Sequence, residues 1–397
     1  MRISQRTAGL TASITLAVSA KAKAMMAAGH DVIGFGAGEP DFDTPSNIKM
    51  AAVKAIEAGF TKYTPATGSP ELKKAVAQKL RSENGLDVEP GQVVITCGGK
   101  HALFEAMMAL VDPGDEVIIP TPYWVSYPQM VTLCGGTSVF LEGREENGFK
   151  ITADDLRGAL TPRTKVIILN TPSNPTGAAY GVAELEALAD VVLEHPEAIV
   201  FSDEIYERLL YDGAEFKSFA TLRPGLADRS VTFNAVSKTY SMTGWRVGYL
   251  AGPADIVKAV GNLQSHSTSN PTSIAQKAAL EAIIGDQASV ETMRGEFDKR
   301  RLRMLELLEA IPGTSCVRPS GAFYCFPNVR VAIDKVVPKA TGDTRSAEFC
   351  TKVLDDIQVA MVPGCGFGND DCVRLSFATS MEAIETGLGR LAEYLGK

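Results

Sequence analysis

A lysine beside a hydroxyl, with an arginine eight residues further on, is the arrangement in this 397-residue chain with the clearest chemical use: Ser237, Lys238 and Arg246, within the stretch Asn234 to Tyr249. A lysine amine that has lost its proton through desolvation attacks a carbonyl and holds it covalently. A hydroxyl and a guanidinium give charge-assisted hydrogen bonds to a phosphate. The three together suit a phosphorylated carbonyl cofactor that is both tethered and clamped. A Ser-Lys pair by itself more often marks a solvated loop, because lysine is mostly exposed. Other parts of the chain must therefore bring matching groups to the same place.

They fall where strands give way to turns. Val93 to Thr96 reads as a strand, followed by a turn with Gly98, Gly99 and Lys100 and a helix from His101 to Leu110. Such a turn presents free N–H groups and a helix dipole to an anion, although many turns of this kind only pack. The strand Lys165 to Asn170 runs into a turn holding Asn174. The strand Ala198 to Ser202 runs into Asp203 and Tyr206. The strand Ser230 to Phe233 runs into the Lys238 stretch, and Val247 to Ala251 follows as another strand. With strands at 116–119 and 138–141, and helices at about 46–58, 154–160 and 184–193, the alternation predicts an α/β fold. Its centre is a mostly parallel, seven-stranded sheet covered by helices on both faces. Ligands of such sheets gather at the carboxyl ends of the strands, where Gly98, Gly99, Asn174, Asp203, Tyr206 and Lys238 converge. Taken singly, Asp203 reads as a helix N-cap, Asn174 as a turn residue, and Tyr206 and Trp124 as core aromatics.

Towards the N-terminus, residues 16–28 read as a helix ended by Gly29, with a short strand at Val32 to Phe35. Gly34, Gly36 and Gly38 imitate a dinucleotide fingerprint, but Glu39 and Pro40 follow and no helix opens there. A backbone that turns sharply or approaches a ligand is the more economical reading. Ser69, Pro70 and Glu71 form a helix start. After about residue 285 the alternation stops. Met293, Phe297, Met304, Leu305 and Leu308 mark a long amphipathic helix, Gly321 to Phe326 and Cys372 to Phe377 short strands, and Ile384 to Leu395 a closing helix. The expected division is an N-terminal arm and helix at 1–45 that packs with a small domain, a large cofactor-binding domain at 46–285, and that small α+β domain at 286–397.

Composition excludes several classes. The chain is 45% hydrophobic and 22% charged, ordinary for a globular protein with a sizeable core. A net charge of −8 argues against a nucleic-acid surface. Seven cysteines without a CxxC pair and four scattered histidines give no disulfide framework or metal spacing, so no metal is expected and a reducing compartment is. No apolar run approaches the roughly 20 residues of a membrane span. The first residues loosely imitate a signal peptide. Thr11, Ser13, Thr15 and Ser19 interrupt its apolar part, and Lys21 and Lys23 occupy the would-be cleavage site, so a cytoplasmic location is expected.

The run Ser237-Lys238 through Gly244 to Arg246, with Asn174-Pro-Thr-Gly177 and Asp203-Glu-Ile-Tyr206, resembles the aspartate aminotransferases of the fold-type I, pyridoxal-phosphate-dependent family. From Thr15 to Ser380 the chain is most similar to the bacterial branch of the class I aminotransferases. The resemblance implies pyridoxal 5'-phosphate as cofactor, amino acids and 2-oxoacids as substrates, and a homodimer with shared active sites. Lys238 would be the Schiff-base lysine and proton shuttle, and Asp203 the partner of the pyridine nitrogen. Tyr206 and Asn174 would face the phenolic oxygen, and Trp124 would stack on the ring. Gly99, Lys100, Ser237 and Arg246 would hold the phosphate, with Tyr63 reaching it from the neighbouring subunit. Gly38 and Arg374 would take the substrate α-carboxylate, to which a guanidinium fits bidentately. For the distal carboxylate, some relatives use an arginine in the region matching Asn262 to Thr272, where this chain has none. Lys100 and Thr15 match the bacterial alternative. The same two residues accompany prephenate transamination in relatives, some of which carry a lysine where Thr11 stands. An acceptor other than 2-oxoglutarate, or a carbon–sulfur lyase, would use the same fold. A regulator carrying a DNA-binding module is disfavoured by the acidic charge and the short stretch before the first loop.

Overall fold

A computed structural model describes residues 3–10 and 14–396, without the side chains of Gln5, Ile14, Thr15, Leu16 and Val18. A helix, Ile14–Ala27, leads to the short strand β1 (Ile33–Gly34). The strands β2 (Val93–Thr96), β3 (Glu116–Thr121), β4 (Thr137–Glu142), β5 (Thr164–Asn170), β6 (Ile199–Asp203), β7 (Ser230–Ala235) and β8 (Gly248–Ala251) then alternate with helices. They form one seven-stranded sheet in the order β2-β8-β7-β6-β5-β3-β4. β8 runs antiparallel to both β2 and β7, and the other pairs are parallel. The mostly parallel sheet expected from the alternation is present. Its central strands are apolar on both faces because helices cover both. Leu103, Met107 and Met130 pack on one side, and Leu185, Leu188 and Phe219 on the other.

Register places the chemistry. Asp203, the last residue of β6, lies opposite Asn170 at the end of β5 and Phe233 in β7. The Lys238 turn leaves β7 a few residues later, so Asp203 and Lys238 exit from neighbouring strands on the same edge. Asp203 is no helix N-cap, since a turn and not a helix follows it. β2 enters the helix Gly99–Leu110 through Gly98, whose φ of 92° disfavours any L side chain. A Cβ at Gly98 would also lie 2.2 Å from the Arg246 guanidinium. The helix Pro70–Asn84 starts as its sequence predicts: the Ser69 hydroxyl accepts from the Leu72 N–H at 3.4 Å, with proline in the first turn.

Two helices, Ala254–Ser267 and Ser273–Ile284, occupy a region that gave no helical signal. The second buries Ala275, Ala278, Ala279 and Ala282, small residues that contribute little apolar contrast to a periodicity. The expected strands at 32–35 and 321–326 shrink to β1 and to β9 (Tyr324–Cys325). Beyond the helix Ala288–Glu309 lie β10 (Val359–Ala360), β11 (Val362–Pro363) and β12 (Val373–Ser376). β11, β12 and β9 form an antiparallel sheet, while β10 pairs in parallel with β1. This part is held by an aromatic core that includes Phe297, Phe323, Phe349 and Phe377. All of β12 is buried, so the solvated-face reading of Arg374 does not apply.

Candidate active site

The sheet edge and the β9–β12 region enclose a cleft of about 600 Å³. Gly38, Gly99, Lys100, Trp124, Asn174, Asp203, Tyr206, Lys238 and Arg374, all singled out in the sequence, line it. Lys238 donates from Nζ to the Gly38 carbonyl. Burial, reinforced by the positive charge of Arg374, pushes its amine down to about 8, with Glu39 opposing the shift. An amine so placed is partly neutral near neutral pH and able to act as nucleophile or base.

Asp203 shows the opposite response. Its side chain is buried, and desolvation pushes the carboxyl up to about 6. The Tyr127 hydroxyl, donating to Oδ2 at 2.6 Å, works against that rise, as do the Ile205 N–H and Lys238. Asn170 steadies the same corner. Its amide donates to the Asp203 carbonyl at 3.0 Å, and its Oδ1 accepts from the Asn174 N–H at 2.9 Å.

Arg374 projects from β12 and is 4% exposed. Nη1 donates to Asn174 Oδ1 and Nη2 to the Gly36 carbonyl, both at 3.0 Å. Its guanidinium lies between the rings of Tyr324 and Phe367, at 4.6 and 5.1 Å. Nε is buried without a partner, and no ion pair to Arg374 occurs among the described residues. A buried guanidinium lacking a counter-charge is costly to maintain and receptive to an arriving carboxylate. With Oδ1 of Asn174 occupied, the amide's Nδ2 is its remaining donor group. Lys100 stands at the cleft mouth with its ammonium 4.9 Å from the Trp124 ring. Desolvation and Arg246 lower its pKa.

Other sequence candidates sit at the margin. Arg246 adopts a left-handed backbone, φ 55°, and reaches across the Gly98 turn to the Cys97 carbonyl at 3.3 Å, while Nη1 donates to the Thr243 carbonyl at 2.9 Å. Ser237 is buried immediately before Lys238. Neither lines the cleft wall. Tyr63 is 90% exposed and away from the cleft within this chain. Thr15 falls in the helix Ile14–Ala27, but its side chain lies outside the described residues, as does Thr11 entirely. Among the described residues no His, Cys, Asp and Glu cluster could hold a metal ion, and no helix is long and apolar enough to cross a membrane.

Sequence reasoning missed Tyr127, Asn170 and Tyr324. Tyr127 stood in the aromatic stretch after Thr121, and Asn170 was the polar end of an apolar strand, so both carried a signal. Tyr324 lay in a short apolar run and could not be told from core.

The residues from 30 to 391 match the family model described as aminotransferase class I and II. The chain belongs to this aminotransferase family. The aminotransferase is 53% identical to the aspartate aminotransferase of Geobacillus stearothermophilus, with all of this chain and 99% of the relative covered. It is 49% identical to the aspartate/prephenate aminotransferase of Cereibacter sphaeroides, over 99% and 98% of the two chains. The solved structure of the aspartate aminotransferase from Thermus thermophilus with maleate superposes with a TM-score of 0.93 at 45% identity, covering both chains completely. Arg374, Lys238 and Asp203 thus meet in the cleft of an aminotransferase.

Proposed function

We propose that this aminotransferase moves an amino group between aspartate and 2-oxoglutarate in a ping-pong cycle, with pyridoxal 5'-phosphate held in the cleft. The observation that carries the reading is the convergence, on one cleft, of an amine pushed down to about 8 and a buried carboxyl with a buried arginine that lacks an acidic partner. The donor set fits the cofactor. Gly98 leaves room for Arg246 against the helix start, where N–H groups of Gly99 and Lys100 suit a phosphate. Ser237 and Arg246 would complete that phosphate site, and Tyr63 would enter it from the partner subunit of a homodimer.

When bound, the cofactor supplies an electron-withdrawing ring that stabilises negative charge at the substrate Cα. The chain's own groups do the rest. Lys238 would hold the aldehyde covalently and, once displaced by the amino substrate, take the proton from Cα and return it. Asp203 would keep the ring nitrogen protonated, a pairing that restores a counter-charge to a buried carboxyl. Tyr206 and the Asn174 amide would donate to the phenolic oxygen, and Trp124 would cover the ring. Arg374, with the Gly38 backbone, would bind the α-carboxylate in a fixed fork. Lys100, with Thr15, would bind the distal carboxylate, which favours dicarboxylic substrates. The names of the Geobacillus and Thermus relatives support aspartate. The name of the Cereibacter relative favours prephenate as a second acceptor. The same reading would divide the chain into a large body at 46–285 and a smaller one at 286–397, with residues 1–45 packing beside the latter, and would put the enzyme in the cytoplasm.

Borohydride reduction of the cofactor-loaded protein tests the assignment. A single stable adduct on Lys238 is expected by peptide mapping. An adduct on another lysine, or none, would remove Lys238 from its role.

A further inference from the structure

We infer that Tyr324 is a positioning residue: its hydroxyl turns the Tyr206 proton into the cleft, and its ring backs the Arg374 guanidinium. The inference rests on the cofactor reading above and extends it to a residue with no role there.

Tyr324 is fully buried in β9. Its hydroxyl lies 3.0 Å from that of Tyr206, and the two rings meet edge-on with centroids 5.9 Å apart. Either oxygen could donate, but each phenol has one proton. If Tyr206 donated to Tyr324, it would have none for an oxygen in the cleft. Tyr324 as donor leaves the Tyr206 proton free to point inwards. Arg374 makes both phenols better donors, but at Tyr324, whose ring it faces at 4.6 Å, only burial outweighs it, whereas at Tyr206 the neighbouring Tyr324 hydroxyl does too, so Tyr324 is the better donor of the two. The charged and titratable groups facing the pair are Arg374 from β12, Asp203 from β6 and Tyr127, whose hydroxyl is committed to Asp203. None of them offers Tyr206 a competing acceptor in the described hydrogen bonds. The same ring forms one wall of the Arg374 slot, with Phe367 as the other. One side chain thus orders the donor to the phenolic oxygen and the guanidinium for the substrate carboxylate.

Two variants of the holoenzyme separate the hydroxyl from the ring. A donor on the phenolic oxygen favours the form in which that oxygen carries the charge, which is the high-pH form. With Tyr324 donating to it, the Tyr206 hydroxyl is polarised into a stronger donor, so losing the Tyr324 hydroxyl weakens that donor and raises the pH midpoint of the bound cofactor's visible absorbance. Tyr324→Phe is expected to raise that midpoint by about 0.2 to 0.5 units, the scale of the cooperative strengthening of one charge-assisted hydrogen bond. It keeps an aromatic face on Arg374 and should leave the dissociation constant for maleate within about twofold. Tyr324→Leu is expected to raise the midpoint similarly and to weaken maleate about tenfold. An unchanged midpoint in Tyr324→Phe, beside a wild type that titrates normally, overturns the hydroxyl's role alone. A tenfold loss of maleate affinity in Tyr324→Phe overturns the ring's role. A wild type whose absorbance does not change with pH overturns the cofactor reading, and this inference with it.

Discussion

Lys100, Lys238 and Arg374 are three cations in one cleft, and their surroundings divide the work between them. Lys238 is desolvated towards neutrality, whereas Arg374 keeps its charge because a guanidinium resists deprotonation. Lys100 sets its amine at the mouth against an indole face. Lys100→Ala is expected to reduce kcat/KM for dicarboxylic substrates by about 10- to 100-fold, the value of one charge-assisted contact, and for monocarboxylic ones by less than about threefold. Equal losses in a donor panel would mean that Lys100 does not read the distal carboxylate. Asp203 gives a second prediction. Its folded pKa is raised to about 6 from the usual 3.8. Below about pH 4 both folded and unfolded chains hold this proton, so the group is neutral to stability. As pH rises towards 6 the unfolded chain releases its proton first, and stability falls. In the cofactor-free protein, Asp203→Asn should therefore be more stable than wild type above pH 6, by about 1–3 kcal/mol, with the gap closing towards pH 4. Urea denaturation across pH measures it, and a gap that widens on acidification would contradict the burial argument. The same variant should lose at least ~100-fold in turnover.

At the scale of elements, the helix Ala288–Glu309 fixes the far wall of the cleft. Its Arg301 has a fully buried side chain, with bonds of 2.7 and 2.8 Å to Asp212 and one of 2.8 Å to the Pro319 carbonyl. Asp212 is also held by Arg318, and the two guanidinium groups keep its carboxyl well below the usual range. Tyr211, beside Asp212, donates to the Ala322 carbonyl. The clamp therefore sets the segment 318–325 that delivers Tyr324. Arg301→Ala leaves Asp212 to Arg318 but removes a buried guanidinium packed on the Tyr211 ring and opens a void, and should cost about 3 kcal/mol in urea denaturation. Because Asp212 is depressed, its contribution is present above its unfolded pKa of about 4 and is lost as pH falls below it. An Arg301→Ala protein as stable as wild type at pH 7 would show that the clamp contributes nothing.

At the scale of the whole molecule, one chain leaves a side uncovered. Met50, Val53 and Ile56, on one face of the helix Ser46–Glu57, are exposed, and so is Tyr63 nearby in sequence. A homodimer of the proposed kind would sediment at twice the 42.3 kDa chain mass. Tyr63→Ala should preserve that dimer while weakening cofactor affinity about tenfold, the loss of one hydrogen bond to an anion. A chain that sediments as a monomer and binds the cofactor with wild-type affinity would end the shared-site proposal. The sequence by itself determined much of this molecule. Strand–helix alternation set the sheet, because parallel strands buried on two faces write long apolar runs. Residues just beyond those runs marked the site, because a parallel sheet brings its strand ends to one edge. What it could not decide depended on contacts between distant segments. The alanine-rich helix Ser273–Ile284 is buried by neighbours that its own periodicity does not announce. Arg374 acquired an aromatic slot, and Asp203 a hydroxyl partner, only when β12 and the Tyr127 helix were folded against the sheet edge. Tyr324 reads as core in one dimension because its sole polar atom finds a partner 118 residues away. Local patterning reports what a segment buries, but which buried groups meet, and which are left without a counter-charge, is settled by tertiary packing.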